Sequence, residues 1–372
     1  MYLVVCLWIK LPHSLTQIFT KGDVYMRLQR LFAFVFVCLF VLMSVAILPA
    51  MAQELPPLPG ELVLGDLGAP RGLAFDADGN LWVTVAGTGG EVAAVMPGPE
   101  GETTFQMGMT GRVISVAPDG TATDFLAGYP SYASPSETTG LYRAIPHGDS
   151  IWLVFNGTGA ATTGAFWTDS VVELDAKTLA VKNLINMNAF EVENDPDGNG
   201  YDSNVADIAW GADGTLYIVN AGGNDLLSWT KEGGLQLIQA WPDNSVPTAI
   251  EVAENGDLYI GFLGEGLAPG AGRIERWSGG QLVETFGGLN AVTDILLDGD
   301  TLYAVQLLIF GEQGPGPGNV VTVTAEGATP VAEGLLAPFG IAKGPDGALY
   351  VSFGTIALAP GMTGGVVKLA AP

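Results

Sequence analysis

Short apolar runs alternate with polar turns along most of the chain, and one pattern recurs. It reads P-R-G-L-A-F-D-A-D-G-N-L-W-V from Pro70 and V-A-D-I-A-W-G-A-D-G-T-L-Y-I from Val205. It returns as P-T-A-I-E-V-A-E-N-G-D-L-Y-I from Pro247 and P-F-G-I-A-K-G-P-D-G-A-L-Y-V from Pro338, with shorter versions from Arg143 and Thr293. Each copy is an apolar strand, a tight Asp-Gly or Asn-Gly type turn and a second strand with an aromatic, which predicts a β-hairpin. The aromatics are Trp82, Trp152, Tyr217, Tyr259, Tyr303 and Tyr350. A second hairpin follows each first one, as in G-R-V-I-S-V-A-P-D-G-T-A-T-D-F-L from Gly111.

Two hairpins make a four-stranded antiparallel unit, and repetition at roughly 40 to 70 residues predicts a β-propeller. The expected fold is all-β, a six-bladed β-propeller with four antiparallel strands per blade. Its last repeat ends at G-G-V-V-K-L-A from Gly364, one strand short. The segment E-L-V-L-G-D-L from Glu61 can supply that strand, so that an N-terminal strand closes the last blade and removes an open edge.

In such a blade, the turns joining strands one to two and three to four lie at one end of the disc. The remaining joins lie at the other. The first class is uniformly short here. The second is long at 86–110, 156–169, 263–271, 307–318 and 354–363, and at the blade-to-blade joins 128–140 and 190–204. Insertions gathered at one end mark the expected binding face. Met107, Met109, Phe166, Trp167 and Phe310 in these loops are candidate apolar contacts.

The propeller is preceded by an extension of a different kind. Arg27 and Arg30 precede the apolar stretch Leu31 to Leu48, and Ala50-Met51-Ala52 gives a small-x-small cleavage site. That is the layout of a secretory signal peptide. Residues 1–52 are therefore expected to be an extension and signal (signal 26–52), with Met1 or Met26 as the start, and 53–372 to be one propeller domain. The exported chain would be secreted, without a membrane span after cleavage and without either cysteine, Cys6 or Cys38. Removal of 1–52 takes away four of fourteen basic residues and one of thirty-nine acidic ones, leaving a formal charge of −28. So acidic a surface disfavours nucleic acid and anionic lipid and favours cations. A monomer is expected, with a ligand or protein partner on the long-looped face.

Two sets of residues carry candidate chemistry. The stretch N-D-P-D-G-N-G-Y-D-S-N from Asn194 begins like a calcium loop, with Gly198 and Gly200 among Asp195, Asp197, Asn199 and Asp202. Position twelve of that pattern is Ala206 rather than a bidentate Glu, so Ca2+ is weighed against a solvated acidic turn held by its own Asx bonds. The second set comes from the starts of the innermost strands, where Arg71, Arg143, Asp207 and Asp294 converge on the channel. They form either a polar ligand site or ion pairs that plug the channel. The exported chain has one histidine, His147, and no G-x-S-x-G elbow or phosphate loop.

The segments N-A-F-E-V-E-N-D-P-D-G-N-G-Y-D-S-N from Asn188 and V-N-A-G-G-N-D-L-L from Val219 resemble secreted ScyD/ScyE-type proteins, named after a scytonemin biosynthesis cluster. That family is grouped with six-bladed NHL or TolB-like propellers. The resemblance spans about Glu61 to Leu369; it implies fold and export and supplies no reaction. Asp195 and Asn220 depart mildly from its pattern. At the level of fold, gluconolactonase-type propellers hold a divalent metal in the channel, and Asp207 and Asp294 could play part of that role. The alternative to a binding protein is thus a metal-dependent hydrolase or lyase acting on a small cyclic ester.

Overall fold

A computed structural model describes residues 57–98, 101–134, 137–157, 167–200, 202–312, 314–356 and 362–369. The expected signal segment, both cysteines and Phe166 lie outside the described residues. Among the described residues no helix is long and apolar enough to cross a membrane.

The recurring Asp-Gly turns close for a local reason. In each, a carboxylate or amide oxygen accepts a main-chain N–H further along the turn: Asp119 from Thr121, Asp213 from Thr215, Asn255 from Asp257 and Asp346 from Ala348, at 2.9–3.1 Å. At the first repeat, Asp76 also accepts from the Trp82 indole at 3.1 Å, tying the turn to its strand. Gly79 there has φ 81°, a backbone that glycine adopts without strain.

Strand β1 is Gly60–Leu67. A nine-stranded sheet follows, from β2 (Pro70–Phe75), β3 (Leu81–Val85), β4 (Val92–Gly98), β5 (Gly101–Val116) and β6 (Ala122–Ala133). It continues through β7 (Thr138–His147), β8 (Ser150–Phe155), β9 (Ser170–Asp175) and β10 (Val181–Asn186). Helix α1 (Met187–Asn194) leads into a four-stranded sheet of β11 (Val205–Trp210), β12 (Leu216–Asn220), β13 (Asp225–Thr230) and β14 (Gly234–Ala240). The next contains β15 (Pro247–Val252), β16 (Leu258–Phe262), β17 (Gly272–Ser278) and β18 (Gln281–Leu289). After it come β19 (Val292–Asp298), β20 (Thr301–Gly311), β21 (Gly314–Thr324) and β22 (Gly327–Leu335). The last sheet joins β23 (Ile341–Lys343), β24 (Leu349–Phe353) and β25 (Gly364–Leu369) to β1. There β1 runs antiparallel to β25, with Gly60 opposite Leu369 and Leu67 opposite Gly364.

The innermost strands β2, β7, β11, β15, β19 and β23 lie side by side, and β23 returns to β2, enclosing an axial channel. The chain is an all-β propeller. Its core lies between adjacent sheets, where Ile208, Ile218, Leu227, Ile250, Ile260 and Phe262 are buried in one cluster.

Several stretches read from sequence as long loops are ordered extensions of the sheets. Residues 86–110 contain the β4–β5 hairpin, in which Val92 pairs with Met107 and Ala94 with Phe105. The 307–318 stretch is the outer end of the β20–β21 ladder, with Leu308 opposite Pro317. The join 128–140 pairs β6 with β7 through Ser131–Gly140 and Ala133–Thr138, which fuses what would be two sheets into one of nine strands. Their alternating β-branched, aromatic and methionine residues extend the ladders beyond the repeat, a signal hidden by the glycines among them. The join 190–204 contains α1, capped by Asn186, whose side chain accepts the Ala189 N–H at 3.0 Å. Asp195 ends the helix in the left-handed region at φ 41°.

Candidate functional site

Three of the four channel residues expected from sequence meet. The buried Arg143 guanidinium places Nε 2.8 Å from Asp207 Oδ1, and its two terminal nitrogens at 2.9 and 3.1 Å from the Asp294 oxygens. This is the bidentate fork that arginine makes with a carboxylate. The remaining acceptor capacity goes to the backbone. Asp207 accepts from Ile208 and Ile250 N–H, and Asp294 from Ile295 and Ile341 N–H, at 2.8–3.1 Å. One ion cluster therefore ties β7, β11, β15, β19 and β23 together across the channel. Burial alone would lower the Arg143 pKa, and the two carboxylates overcome it and hold the group above its ordinary range.

Arg71 stands apart. It is buried between the rings of Tyr142 and Phe339, 5.1 and 4.8 Å from their centroids, and donates to the Thr138 carbonyl at 2.5 Å. The two rings meet edge to face at 4.8 Å. Arg71 is the second residue of β2, Tyr142 lies within β7 and Phe339 stands two residues before β23, so the cation and the two rings pack together between three innermost strands. Desolvation lowers the Arg71 pKa, against the pull of Tyr142 and Glu137.

The channel opens at its short-turn end. A cavity of about 540 Å³ runs from Arg143, Asp207 and Asp294 toward the short-turn ends of the innermost strands. Glu251 stands in its wall, half-buried, and His147 stacks on Trp210 at 4.1 Å near its rim. Burial, then the charges of Asp207 and Asp294, push the Glu251 carboxyl up to about 8, against Arg143. Sequence reading missed Glu251 because nothing in its strand distinguishes it from an ordinary outward-facing acid.

The folded chain thus holds a proton on Glu251 that the unfolded chain releases near the ordinary value of 4.5. This contribution to stability is fully present below that value and is lost as pH climbs toward 8. Wild type is expected to lose about 1–2 kcal/mol more than Glu251→Gln between pH 5 and pH 8, after discounting for solvent screening of a half-buried group. Urea unfolding at both pH values checks this; equal losses would refute it. The other titratable groups on the cavity, Arg143, His147, Asp207, Asp294 and Lys343, are common to both proteins.

The acidic loop after α1 is folded on itself. Asp197 accepts from the Asn199 backbone and side-chain nitrogens at 2.9 and 3.0 Å, and Asp195 accepts from Gly200 N–H at 3.1 Å. Asp202 belongs to the same loop, and burial raises its pKa. Among the described residues no three of histidine, cysteine, aspartate and glutamate form a metal-binding group.

The two segments that carry the family resemblance meet beside this loop. Asn224 donates to Asp197 Oδ2 at 2.9 Å, and Asn220 donates to Glu191 Oε1 at 2.9 Å. Glu191 and Asp225 are both fully buried, with their carboxyl groups within hydrogen-bonding reach of each other. Burial raises both; Glu191 raises Asp225 further, whereas the hydrogen bond with Asp225 draws Glu191 back down. Asp169, also fully buried, is raised by burial and then by Asp202. Both segments were legible as motifs, but their contact follows from α1 folding back over the start of β13, which spacing alone does not specify.

Also on the long-looped face, an apolar cavity of about 590 Å³ lies against the β4–β5 extension. Met107, Met109, Tyr129, Tyr132, Trp167 and Val92 line it. Its floor is an aromatic cluster in which Trp167 lies 5.8 Å from Tyr129 and 5.4 Å from Phe155. Met107, Met109 and Trp167, three of the apolar contacts expected from sequence, come together here. Phe310 belongs to β20 and does not line this cavity.

No family model matches the chain, and no curated protein matches it significantly. Among solved structures it is similar to a gluconolactonase from Xanthomonas campestris, at 12% identity and a TM-score of 0.53, covering 86% of this chain and 92% of that one. It is also similar to a streptogramin B lyase, at 14% identity and a TM-score of 0.47, covering 84% and 96%. A virginiamycin B lyase from Staphylococcus aureus matches at 12% identity and a TM-score of 0.45, covering 83% and 97%. At 12% identity the likeness to the gluconolactonase is one of fold alone, the all-β propeller.

Proposed function

We propose that the protein is an exported, six-bladed propeller of the ScyD/ScyE type that binds an apolar ligand on its long-looped face and carries no catalytic centre. The blade count treats the nine-stranded sheet as two blades joined at their edges, each giving one innermost strand, β2 and β7, to the channel wall. Export rests on the sequence of residues 26–52. The high acidity argues against nucleic acid and anionic lipid as partners, and a monomer is sufficient for the site.

The apolar cavity carries the reading. At about 590 Å³ it lies in the range of small-molecule sites, which are concave, mostly apolar and rich in aromatic side chains. Met109 and Val92 leave 62% and 63% of their surface to water, so covering them is favourable. Methionines beside a rigid aromatic floor can repack around differently shaped apolar molecules.

The test is titration of an apolar fluorescent probe, anilinonaphthalene sulfonate, into chain recovered from an exporting host. Its mass, expected to begin at Gln53, checks export at the same time. One saturable site is expected, with affinity reduced at least about tenfold in Met109→Glu. Met109 is exposed, so that variant should melt with wild type. Unsaturable binding, or equal affinity in the variant, would remove the proposal.

The alternative, a metal-dependent hydrolase or lyase of the gluconolactonase-like type, needs channel carboxylates with oxygens to spare. Asp207 and Asp294 have theirs engaged by Arg143 and four backbone N–H groups. These residues do not fit a channel metal.

A further inference from the structure

The carboxyl groups beneath α1 present a problem that neither the fold nor the ligand cavity resolves. Both oxygens of Asp225 and Oε2 of Glu191 are buried without a hydrogen-bond donor. Of the nearby amides only Asn220 comes within reach of Asp225. Asn220 donates to Glu191 Oε1 and uses its own oxygen to accept from Ser203 and Asn204. Asn224 donates to Asp197, Gly222 and Asn244 and accepts from Val246.

No lysine or arginine among the described residues pairs with Asp169, Glu191, Asp195, Asp197, Asp202 or Asp225. A proton shared between Glu191 and Asp225 would remove one charge and leave the other buried beside Asp197. The chain is also shaped around this pair. A Cβ on Gly223 would collide with Glu191 Oε1 and Asn220 Nδ2, so the Gly-Gly of A-G-G-N-D lets the backbone pass directly over the carboxyl groups.

We propose that Glu191 and Asp225 together bind a calcium ion between α1 and the start of β13. The donor set decides the class of metal. It offers carboxylate oxygens, with no histidine or cysteine, which suits a hard cation and not zinc or copper. Calcium takes six to eight oxygens at variable angles. The two carboxylates offer at most about four of these oxygens, and Asp195 and Asp197 add negative potential from the loop. The bound ion pins α1 to the propeller and so orders the join from which the acidic loop hangs. This site is distinct from the loop set Asp195, Asp197, Asn199 and Asp202, in which Asp195 and Asp197 accept from the loop's own Gly200 and Asn199. It does not depend on the apolar cavity having a ligand.

The experiment is calorimetric and thermal titration of calcium, with magnesium as control, into the chelator-treated chain and three variants. Wild type should bind one calcium, rise by at least about 3 °C in Tm at saturation, and bind magnesium far more weakly. Asp225→Asn and Glu191→Gln should weaken calcium at least about tenfold and lose the Tm response. Either amide can hydrogen-bond the surviving carboxylate, so each variant should remain folded without calcium. The variant Asp195→Ala should retain the site with reduced affinity. Absence of any calcium response in wild type would leave the pair as a shared-proton site and overturn the proposal. Binding that survives Asp225→Asn and disappears in Asp195→Ala would also overturn it and assign the ion to the loop.

Discussion

Replacing Arg143 with leucine is expected to destabilise the protein by about 3–5 kcal/mol, the usual cost of removing one partner from a buried ion cluster. The side chains of Arg143, Asp207 and Asp294 are each less than a tenth exposed. Without the guanidinium, two carboxylates would face each other across the channel with only backbone N–H groups to hold them. The burden should fall on the fold as a whole, because the cluster joins five innermost strands. Combining Arg143→Leu with Asp207→Asn and Asp294→Asn should recover at least half the loss, since no charge is then left unpaired. Denaturant midpoints of the single and triple variants measure both effects. A single-variant loss below about 1 kcal/mol would mean that water enters the channel and replaces the guanidinium.

Deleting residues 57–67 is expected to be of similar or greater consequence. Leu67 is 2% exposed, and Val63 and Leu64 pack with it against Val83, Ile114 and Val366. Their burial contributes about 4–6 kcal/mol as an upper estimate. The deletion would also expose the β25 edge, whose unpaired backbone groups would be free to join another chain. The shortened chain should melt earlier and elute from size exclusion as oligomers. The point variant Leu67→Ala, which keeps the strand, should lose about 2–4 kcal/mol and remain monomeric. An unchanged midpoint and monodisperse elution of the deletion would show that β1 is dispensable.

The sequence made the repeated hairpin legible because its turn chemistry and strand alternation are both local. The pairing of Glu61–Leu67 with the final strand was also within reach, since a unit lacking one strand leaves an edge to cover. Long insertions were legible as insertions, but their internal structure was not. The β4–β5 and β20–β21 extensions contain prolines and glycines that read as loop, and pairing with a neighbouring ladder outweighed that local preference. At the channel, the strand starts brought Arg143, Asp207 and Asp294 to notice. The strand starts did not reveal that Arg71 lies apart between Tyr142 and Phe339, because one position along a strand sends a side chain to its opposite side. Glu191 and Asp225 were visible only as letters in two segments 34 positions apart, because burial and lack of a donor are properties of tertiary contact.

The pairing of β1 with β25 also sets an order of events. Gly60 meets Leu369, 309 positions later, so the first strand of the propeller made during synthesis must wait for nearly the last. Neighbouring strands can form from local contacts as the chain lengthens, whereas this ladder carries the entropy of closing a loop of almost the whole domain. Ring closure is therefore the natural late and slow step of folding. Until it occurs, two complementary edges coexist in one chain, and in concentrated solution the same two edges can join different chains in a domain-swapped pair.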